Sequence, residues 1–127
     1  MNSMKMSKIE TAIRLVIEFN QAFNRHDIAG MLRLLSDACV FEGTYPTPTS
    51  DVYTGKEAIS RYWQAYFRES PQVHMEIEEI FGLGFRCVTR WRCDWVDEKG
   101  TARSVRGADI FQIKSGFICE KLSYMKG

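Results

Sequence analysis

The chain has 127 residues, of which 45% are hydrophobic and 26% are charged, and this composition is typical of a single globular domain. Its 17 basic and 16 acidic residues leave a net charge of +1 without any block of five like charges, so electrostatics give no support for binding to nucleic acid or to a membrane surface. No run of 18 apolar residues predicts a membrane span, and we expect one domain over residues 1–127 with residues 1–6 as a frayed leader.

The N-terminal half predicts three helices. The capping box Ser7-Lys8-Ile9-Glu10 and apolar residues at helical spacing predict helix one from Lys8 to Asn24. Asp27 follows a polar break and is expected to cap a second, shorter helix. Another capping box, Thr54-Gly55-Lys56-Glu57, predicts the start of helix three, which Pro71 ends. The apolar stripe of helix three consists of Ala58, Ile59, Tyr62, Trp63, Tyr66 and Phe67.

The remaining apolar segments predict strands. A short strand over residues 38–42 leads into a loop over residues 43–51. Beyond residue 72 the pattern predicts four strands, over residues 73–81, 85–96, 101–113 and 117–126, joined by glycine-containing turns. Helices followed by an antiparallel meander indicate an α+β fold. We expect the three helices of the N-terminal half to pack on a curled, mostly antiparallel sheet that forms a cone with an internal pocket.

The thiol and imidazole side chains do not suggest a metal site. The four cysteines lie in apolar runs without a C-x-x-C pair, and a free cysteine in such a run commonly behaves as a small hydrophobic residue. The two histidines, His26 and His74, are too scattered to bind zinc. We therefore predict no metal site, and a cytoplasmic protein with reduced thiols.

Asp109 interrupts the apolar pattern of the predicted strand over residues 101–113. It is flanked by Ala108 and Ile110, and aspartate is disfavoured in strands and almost never fully buried without a partner. One interpretation is a structural ion pair with Arg90, Arg92 or Arg106. The other is a pocket in which Phe111 and tryptophan side chains remove hydration and keep the carboxyl neutral, so that it can donate a hydrogen bond.

One predicted strand carries tryptophans and arginines on opposite faces. Trp91 and Trp95 share one face, whereas Arg90, Arg92 and Asp94 share the other. Aromatic residues are buried more often than arginines, which favours the tryptophans as the inward face. A resemblance to a known family at the position of Arg90 favours the arginines as the inward face instead. Both orientations therefore stay open.

The order of the elements and two segments resemble a known family. The turn F-N-R-H-D at residues 23–27 and the ending R-G-x-D-I-F and E-K-L-S-Y at residues 106–111 and 120–124 are similar to the SnoaL-like branch of the nuclear transport factor two-like superfamily. Ketosteroid isomerases, polyketide cyclases and limonene epoxide hydrolases share its fold. The resemblance covers about Ile9 to Tyr124. It implies a cone whose mouth admits a small apolar ligand, and a homodimer through the outer face of the sheet.

The resemblance also implies site residues. Asp109 falls where the isomerases hold the carboxylic acid that donates to the oxyanion, and it matches the strand aspartate proposed as the acid/base of SnoaL-like cyclases. Glu42 falls where the isomerases place their proton-shuttling carboxylate. Phe19 replaces the tyrosine that the isomerases carry on helix one, and this difference counts against steroid isomerase chemistry.

The match to the epoxide hydrolases is incomplete. Arg90 corresponds to an arginine of these enzymes, but Arg92 and Ser123 stand where their mechanism needs two aspartates. We therefore exclude epoxide hydrolysis.

Two functions follow from the sequence. The first is a cofactor-independent enzyme of the isomerase or cyclase type that acts on an apolar carbonyl compound, with Asp109 as general acid or base and Glu42 as a second carboxylate. The residues expected to contact the ligand are Phe19, Tyr45, Trp63, Arg90 and Phe111. The second is a ligand-binding or dimerisation module without turnover. The two differ in whether both carboxylates reach one substrate atom.

Overall fold

The computed structural model describes residues 7–43 and 51–126, and this part of the chain forms three helices and six strands. The helices are α1 (Lys8–Asn24), α2 (Ile28–Leu32) and α3 (Lys56–Glu69). The strands are β1 (Leu35–Glu42), β2 (Val52–Thr54), β3 (His74–Leu83), β4 (Arg86–Val96), β5 (Ala102–Lys114) and β6 (Phe117–Met125). The predicted leader and the predicted ligand residue Tyr45 lie outside the described residues.

The strands form one sheet in the order β2-β1-β6-β5-β4-β3. All neighbouring strands run antiparallel except β1 and β6, which run parallel, so the predicted, mostly antiparallel sheet is confirmed. Because β2 and β3 lie at opposite edges, the sheet does not close into a barrel. Helix α1 packs against β3 and β4, and α3 packs against β1 and β2, which confirms the α+β architecture. None of the helices in the described ranges is long and apolar enough to cross a membrane.

Local hydrogen bonds explain where α1 and α2 begin. Ser7 Oγ accepts a hydrogen bond from the backbone N–H of Glu10 at 3.1 Å, and Asp27 Oδ1 accepts one from the N–H of Gly30 at 2.9 Å. Both bonds satisfy N–H groups that have no partner within their own helix. The first predicted capping box and the Asp27 cap are therefore confirmed. The stripe that α1 buries consists of Ala12, Val16, Phe19, Ala22 and Phe23.

The second predicted capping box is wrong. Thr54 is the last residue of β2 and pairs with Val40 of β1, in a three-residue strand that the sequence pattern did not predict. The N–H of Gly55 donates to the carbonyl of Cys39 at 2.8 Å, so the backbone stays in the sheet up to the start of α3. Gly55 is the N-cap, with a φ of 87° and no side-chain hydrogen bond. Glycine tolerates this conformation because it has no Cβ.

Strand β4 shows which residues face the helices. Its buried side chains are Cys87, Thr89, Trp91 and Cys93. On the opposite face, Arg90 pairs with Glu79 at 2.7 Å and Arg92 pairs with Glu76 at 2.9 Å, both across to β3. The tryptophans therefore face inward and the arginines outward, as the burial preference of aromatic residues predicts. A bulge in β3 between Ile77 and Glu79 shifts its register against β4.

Candidate active site

A cavity of about 160 Å³ lies between α3 and the inner face of the sheet. Its largest side chains are aromatic, contributed by Phe23, Phe41, Tyr53, Tyr62, Trp63, Tyr66, Trp91 and Trp95. Asp109, Lys121 and Ser123 supply polar groups to the same wall. An apolar cavity of about 150 Å³ is large enough to hold benzene, so this one accommodates a single ring.

Asp109 lies on the inner face of β5, at the wall of this cavity. Asp109 is only 2% exposed. Across the sheet it pairs in register with Thr89 of β4 and with Ser123 of β6, both of which are also buried. Three polar residues on adjacent strands therefore meet where apolar side chains would be expected.

The charged partner of Asp109 is Lys121. Lys121 Nζ lies 3.6 Å from Asp109 Oδ2 and donates to Ser123 Oγ at 2.8 Å. The Lys121 and Asp109 side chains are 12% and 3% exposed, so both charges are removed from water. The same Nζ lies over the rings of Phe41 and Trp63, at 5.2 and 5.8 Å from their centres. Aromatic rings attract a cation placed over their faces, so four neighbours hold the ammonium group.

The sequence suggested three arginines as partners of Asp109, and Lys121 was not among them. Arg90, Arg92 and Arg106 all lie on the outer face, where they pair with glutamates of β3. The structural interpretation was therefore correct in assigning an ion pair and wrong about the partner. Lys121 of β6 lies opposite Phe111 of β5. Phe111 and Asp109 are two residues apart on β5 and share its inner face, so the side chain of Lys121 lies on that face as well.

Three buried polar atoms at this wall have no hydrogen-bond partner in the described part of the protein. They are Asp109 Oδ1, Trp63 Nε1 and Trp91 Nε1. An unsatisfied buried polar group costs about 1–3 kcal/mol, and proteins rarely retain such groups without a reason. Two N–H donors and one acceptor without partners therefore belong to residues that line the larger cavity.

A second cavity of about 30 Å³ shares Asp109, Lys121 and Trp63 with the first. Phe19 and Phe111 line this smaller cavity, and their rings meet edge to face at 6.2 Å between centres. Phe19 and Phe111, which the sequence analysis named as ligand contacts, thus lie beside the ion pair rather than in the larger cavity. Trp63 lines both.

The other predicted site residues lie farther out. Glu42 ends β1, is exposed, and contributes to the edge of the larger cavity. Arg90 lines neither cavity, because strand alternation turns it away from Trp91 and toward Glu79, with its side chain 57% exposed. The structure therefore brings Asp109 together with Trp63, and it does not bring Arg90 to them.

Two further groups at the cavity wall are held in their protonated forms. Tyr53 donates to Asp51 Oδ1 at 2.6 Å, and this hydrogen bond, together with desolvation, raises the pKa of Tyr53 to about 12. Burial raises the pKa of the Cys93 thiol above its ordinary value, although a contact with Tyr66 opposes the shift. Cys93 is therefore a thiol at neutral pH and a poor nucleophile.

Comparison with known proteins fits this architecture. The family model of the SnoaL-like domain matches residues 16–121. The chain belongs to the SnoaL-like domain family. The matched range runs from α1 into β6 and includes both Asp109 and Lys121. Among curated proteins, no sequence matches the chain.

Solved structures of similar fold cover almost the whole chain. A nuclear transport factor 2-like protein of unknown function from Mesorhizobium loti is 31% identical, with 96% of each chain covered and a TM-score of 0.79. A candidate polyketide cyclase from Xanthomonas campestris pv. campestris is 21% identical, with 94% of this chain and 93% of that one covered and a TM-score of 0.78. A candidate isomerase from Bacillus subtilis is 18% identical, with 95% and 90% covered and a TM-score of 0.83. The last two likenesses show the fold alone.

Proposed function

We propose that this SnoaL-like protein is a cofactor-independent enzyme of the isomerase or cyclase type, which moves a proton at the carbon beside the carbonyl group of a small apolar compound. The observation that carries the proposal is the buried pair of Asp109 and Lys121 beside an aromatic cavity, with Asp109 Oδ1 left without a partner. Acid/base catalysis requires a titratable group within hydrogen-bond reach of the substrate, and a carboxylate on a residue that lines the cavity, with one oxygen free to accept, supports that role.

Asp109 acts as the base in this proposal. The sequence left Asp109 as either general acid or general base, and we assign it the role of base because it forms an ion pair with Lys121, with Nζ 3.6 Å from Oδ2. Removing a proton from the substrate places negative charge on the carbonyl oxygen. Lys121 Nζ and the indole N–H groups of Trp63 and Trp91 are the available donors for that charge.

The remaining residues shape and serve the site. Trp63 lines both cavities and would contact the ligand, whereas Phe19 and Phe111 line the smaller cavity beside the ion pair. Glu42 at the edge of the cavity is a candidate for returning the proton to solvent, and Tyr45 remains a predicted contact. A ligand with one ring and a carbonyl group fits the cavity volume of about 160 Å³ and the donors on its wall.

The experiment follows exchange of the α-protons of phenylacetone, acetophenone and benzoylacetone in deuterium oxide by NMR. The protein should accelerate exchange of at least one ketone, and Asp109→Asn should lower that rate by about 10²–10⁴-fold, because the base is lost. The matched control is Asp94→Asn, which alters a half-exposed carboxylate on the outer face of β4 and should leave the rate unchanged. Equal rates with the native protein and with Asp109→Asn would refute the enzyme proposal.

A ligand-binding module without turnover is the second candidate. It is favoured by the exposure of Glu42, which leaves Asp109 as the single buried carboxylate among the residues that line the larger cavity. In that case Asp109 and Lys121 would orient a bound carbonyl compound without exchanging its protons. Ligand-induced changes in tryptophan fluorescence without any α-proton exchange would identify this function.

The outer face of the sheet is the surface that we propose for a homodimer. Phe81 and Tyr124 are half-exposed there, and Phe81 continues a row of apolar side chains across the sheet through Val88, Ile110 and Leu122. Light scattering of the native protein and of Phe81→Glu tests the proposal, since a charge in the row should yield monomers. A cytoplasmic location also belongs to the proposal, supported by the four free thiols.

A further inference from the structure

Lys121 is the lysine that a ligand in either cavity would meet. It lines both cavities, and its side chain is 12% exposed. The hydrogen bond to Ser123 Oγ and the contacts with the Phe41 and Trp63 rings fix the position of Nζ. A fixed amine beside a bound carbonyl has a high effective concentration, which favours reaction between them.

Asp109 supplies the proton acceptor that such a reaction needs. A buried ion pair is stable only while its attraction offsets the loss of hydration of both charges. A single proton transfer from Lys121 Nζ to Asp109 Oδ2 across 3.6 Å gives a free amine and a neutral carboxylic acid.

We infer that Lys121 forms a covalent imine with an aldehyde or ketone bound in the aromatic cavity. This inference rests on the proposed function, because it concerns the same carbonyl compound, and it adds the bond through which that compound is held. Lysine Schiff bases are an established form of covalent catalysis for carbonyl substrates.

The reaction balances with the groups present. The neutral Nζ adds to the carbonyl carbon and loses one proton, while the carbonyl oxygen becomes a hydroxyl group of the carbinolamine. Asp109 then gives its proton to this hydroxyl, which leaves as water, and the carbon–nitrogen double bond forms as a protonated imine beside the Asp109 carboxylate. The net change from the ion pair is one ammonium group and one carbonyl compound giving one protonated imine and one water, with Asp109 returned to its starting form and no oxidant or reductant.

The test traps the imine with sodium cyanoborohydride. The native protein is incubated with benzaldehyde and the reductant, and peptide mass spectrometry then quantifies benzyl groups on each lysine. Lys121 should carry about tenfold or more label than the exposed Lys114 of β5, because the bound aldehyde is held against it. Toluene, which fills the cavity without a carbonyl group, should reduce the label on Lys121 and leave that on Lys114 unchanged. Label on Lys121 no greater than on Lys114 would overturn the inference.

Lys121→Arg separates this inference from the proposed function. Arginine retains a positive charge that can stabilise an enolate, but it does not form this imine under the trapping conditions. Loss of ketone exchange in Lys121→Arg, together with trapping in the native protein, supports the imine. Ketone exchange that persists in Lys121→Arg while still depending on Asp109 rejects the imine and leaves the acid/base enzyme standing.

Discussion

The two faces of the sheet hold ion pairs of opposite character. On the outer face, Arg90 and Glu79 approach to 2.7 Å, with side chains 57% and 52% exposed. On the inner face, Lys121 and Asp109 are farther apart, at 3.6 Å, with side chains 12% and 3% exposed. Breaking the shorter pair should cost less stability, because its two charges remain hydrated, whereas removing one member of a buried pair leaves an uncompensated buried charge.

This difference separates what stabilises the fold from what serves the site. The outer arginines can exchange their glutamate partners for water with little loss. The inner pair has no such alternative, and a well-packed pair of apolar residues would be as stable in its place or more stable. Stability therefore does not explain Asp109 and Lys121, and the unpaired Asp109 Oδ1 supports the proposed chemical role.

The largest expected effect comes from breaking the inner pair. Lys121→Met should lower the free energy of unfolding by about 3–5 kcal/mol, because it leaves the Asp109 carboxylate buried without its cation. Urea denaturation followed by tryptophan fluorescence measures this loss.

The double variant Lys121→Met/Asp109→Leu is the decisive control for that prediction. With both charges gone, we expect most of the lost stability to return, and catalysis to remain absent. A double variant as unstable as Lys121→Met alone would mean that packing at Lys121, rather than its charge, stabilises the fold.

A smaller loss is expected at Gly107, where the inner wall is closely packed. A Cβ at Gly107 would overlap the Trp91 ring and the carbonyl oxygen of Tyr124 on the neighbouring strand. Gly107→Ala should therefore cost roughly 1–3 kcal/mol and move the Trp91 indole, which a change in tryptophan emission would report. The control is Ala102→Ser at the exposed start of β5, which should change stability by less than about 0.5 kcal/mol. Unchanged emission in Gly107→Ala would contradict the expected movement of the Trp91 indole.

Much of the fold could be predicted because its determinants are local. The start of α1 follows from the Ser7 cap, and the inward face of β4 follows from the alternation around Trp91. The start of α3 could not be predicted in this way, since pairing of Thr54 with Val40 overrides a sequence that reads as a capping box. Non-local strand pairing decided that boundary.

The site was only half predictable, for a reason that lies in β5 and β6. Next to the turn that joins the two strands, Lys114 of β5 pairs with Phe117 of β6. If this register continued along both strands, Lys121 would lie opposite Ile110 on the outer face. A bulge between Gln112 and Ile113 shifts the register by one residue, so Lys121 instead pairs with Phe111 and turns inward. Asp109 could be identified as a polar residue within an apolar strand. The position of its partner Lys121 depends on the bulge, which no residue in the sequence indicates.

A pH-dependent effect is expected at the exposed turn between β4 and β5. Asp97 accepts hydrogen bonds from the N–H groups of Thr101 and Lys99 and from Arg103 Nε, each at 2.9 Å, and these contacts lower the pKa of Asp97 below its ordinary value. A carboxyl group with a lowered folded-state pKa stabilises the protein above the unfolded pKa of about 3.9, and this contribution disappears as the pH falls through the folded-state value.

The native protein should therefore be more stable than Asp97→Asn at neutral pH, and the difference should shrink below about pH 4. Urea denaturation of both proteins across this pH range measures the difference. Glu98→Gln, which alters the neighbouring exposed carboxylate, is the control. A difference that grows on acidification would contradict the stated sign.

The smallest effect is expected at Arg90 on the outer face. Arg90→Ala should lower the free energy of unfolding only slightly, and added salt should reduce even that difference, because both side chains of the pair are largely in water. Denaturation at low and high salt measures the effect, and ketone exchange should be unchanged, since Arg90 lines neither cavity. A loss as large as that of Lys121→Met would contradict the distinction between the two faces, because a pair open to solvent would then act like one sealed from it.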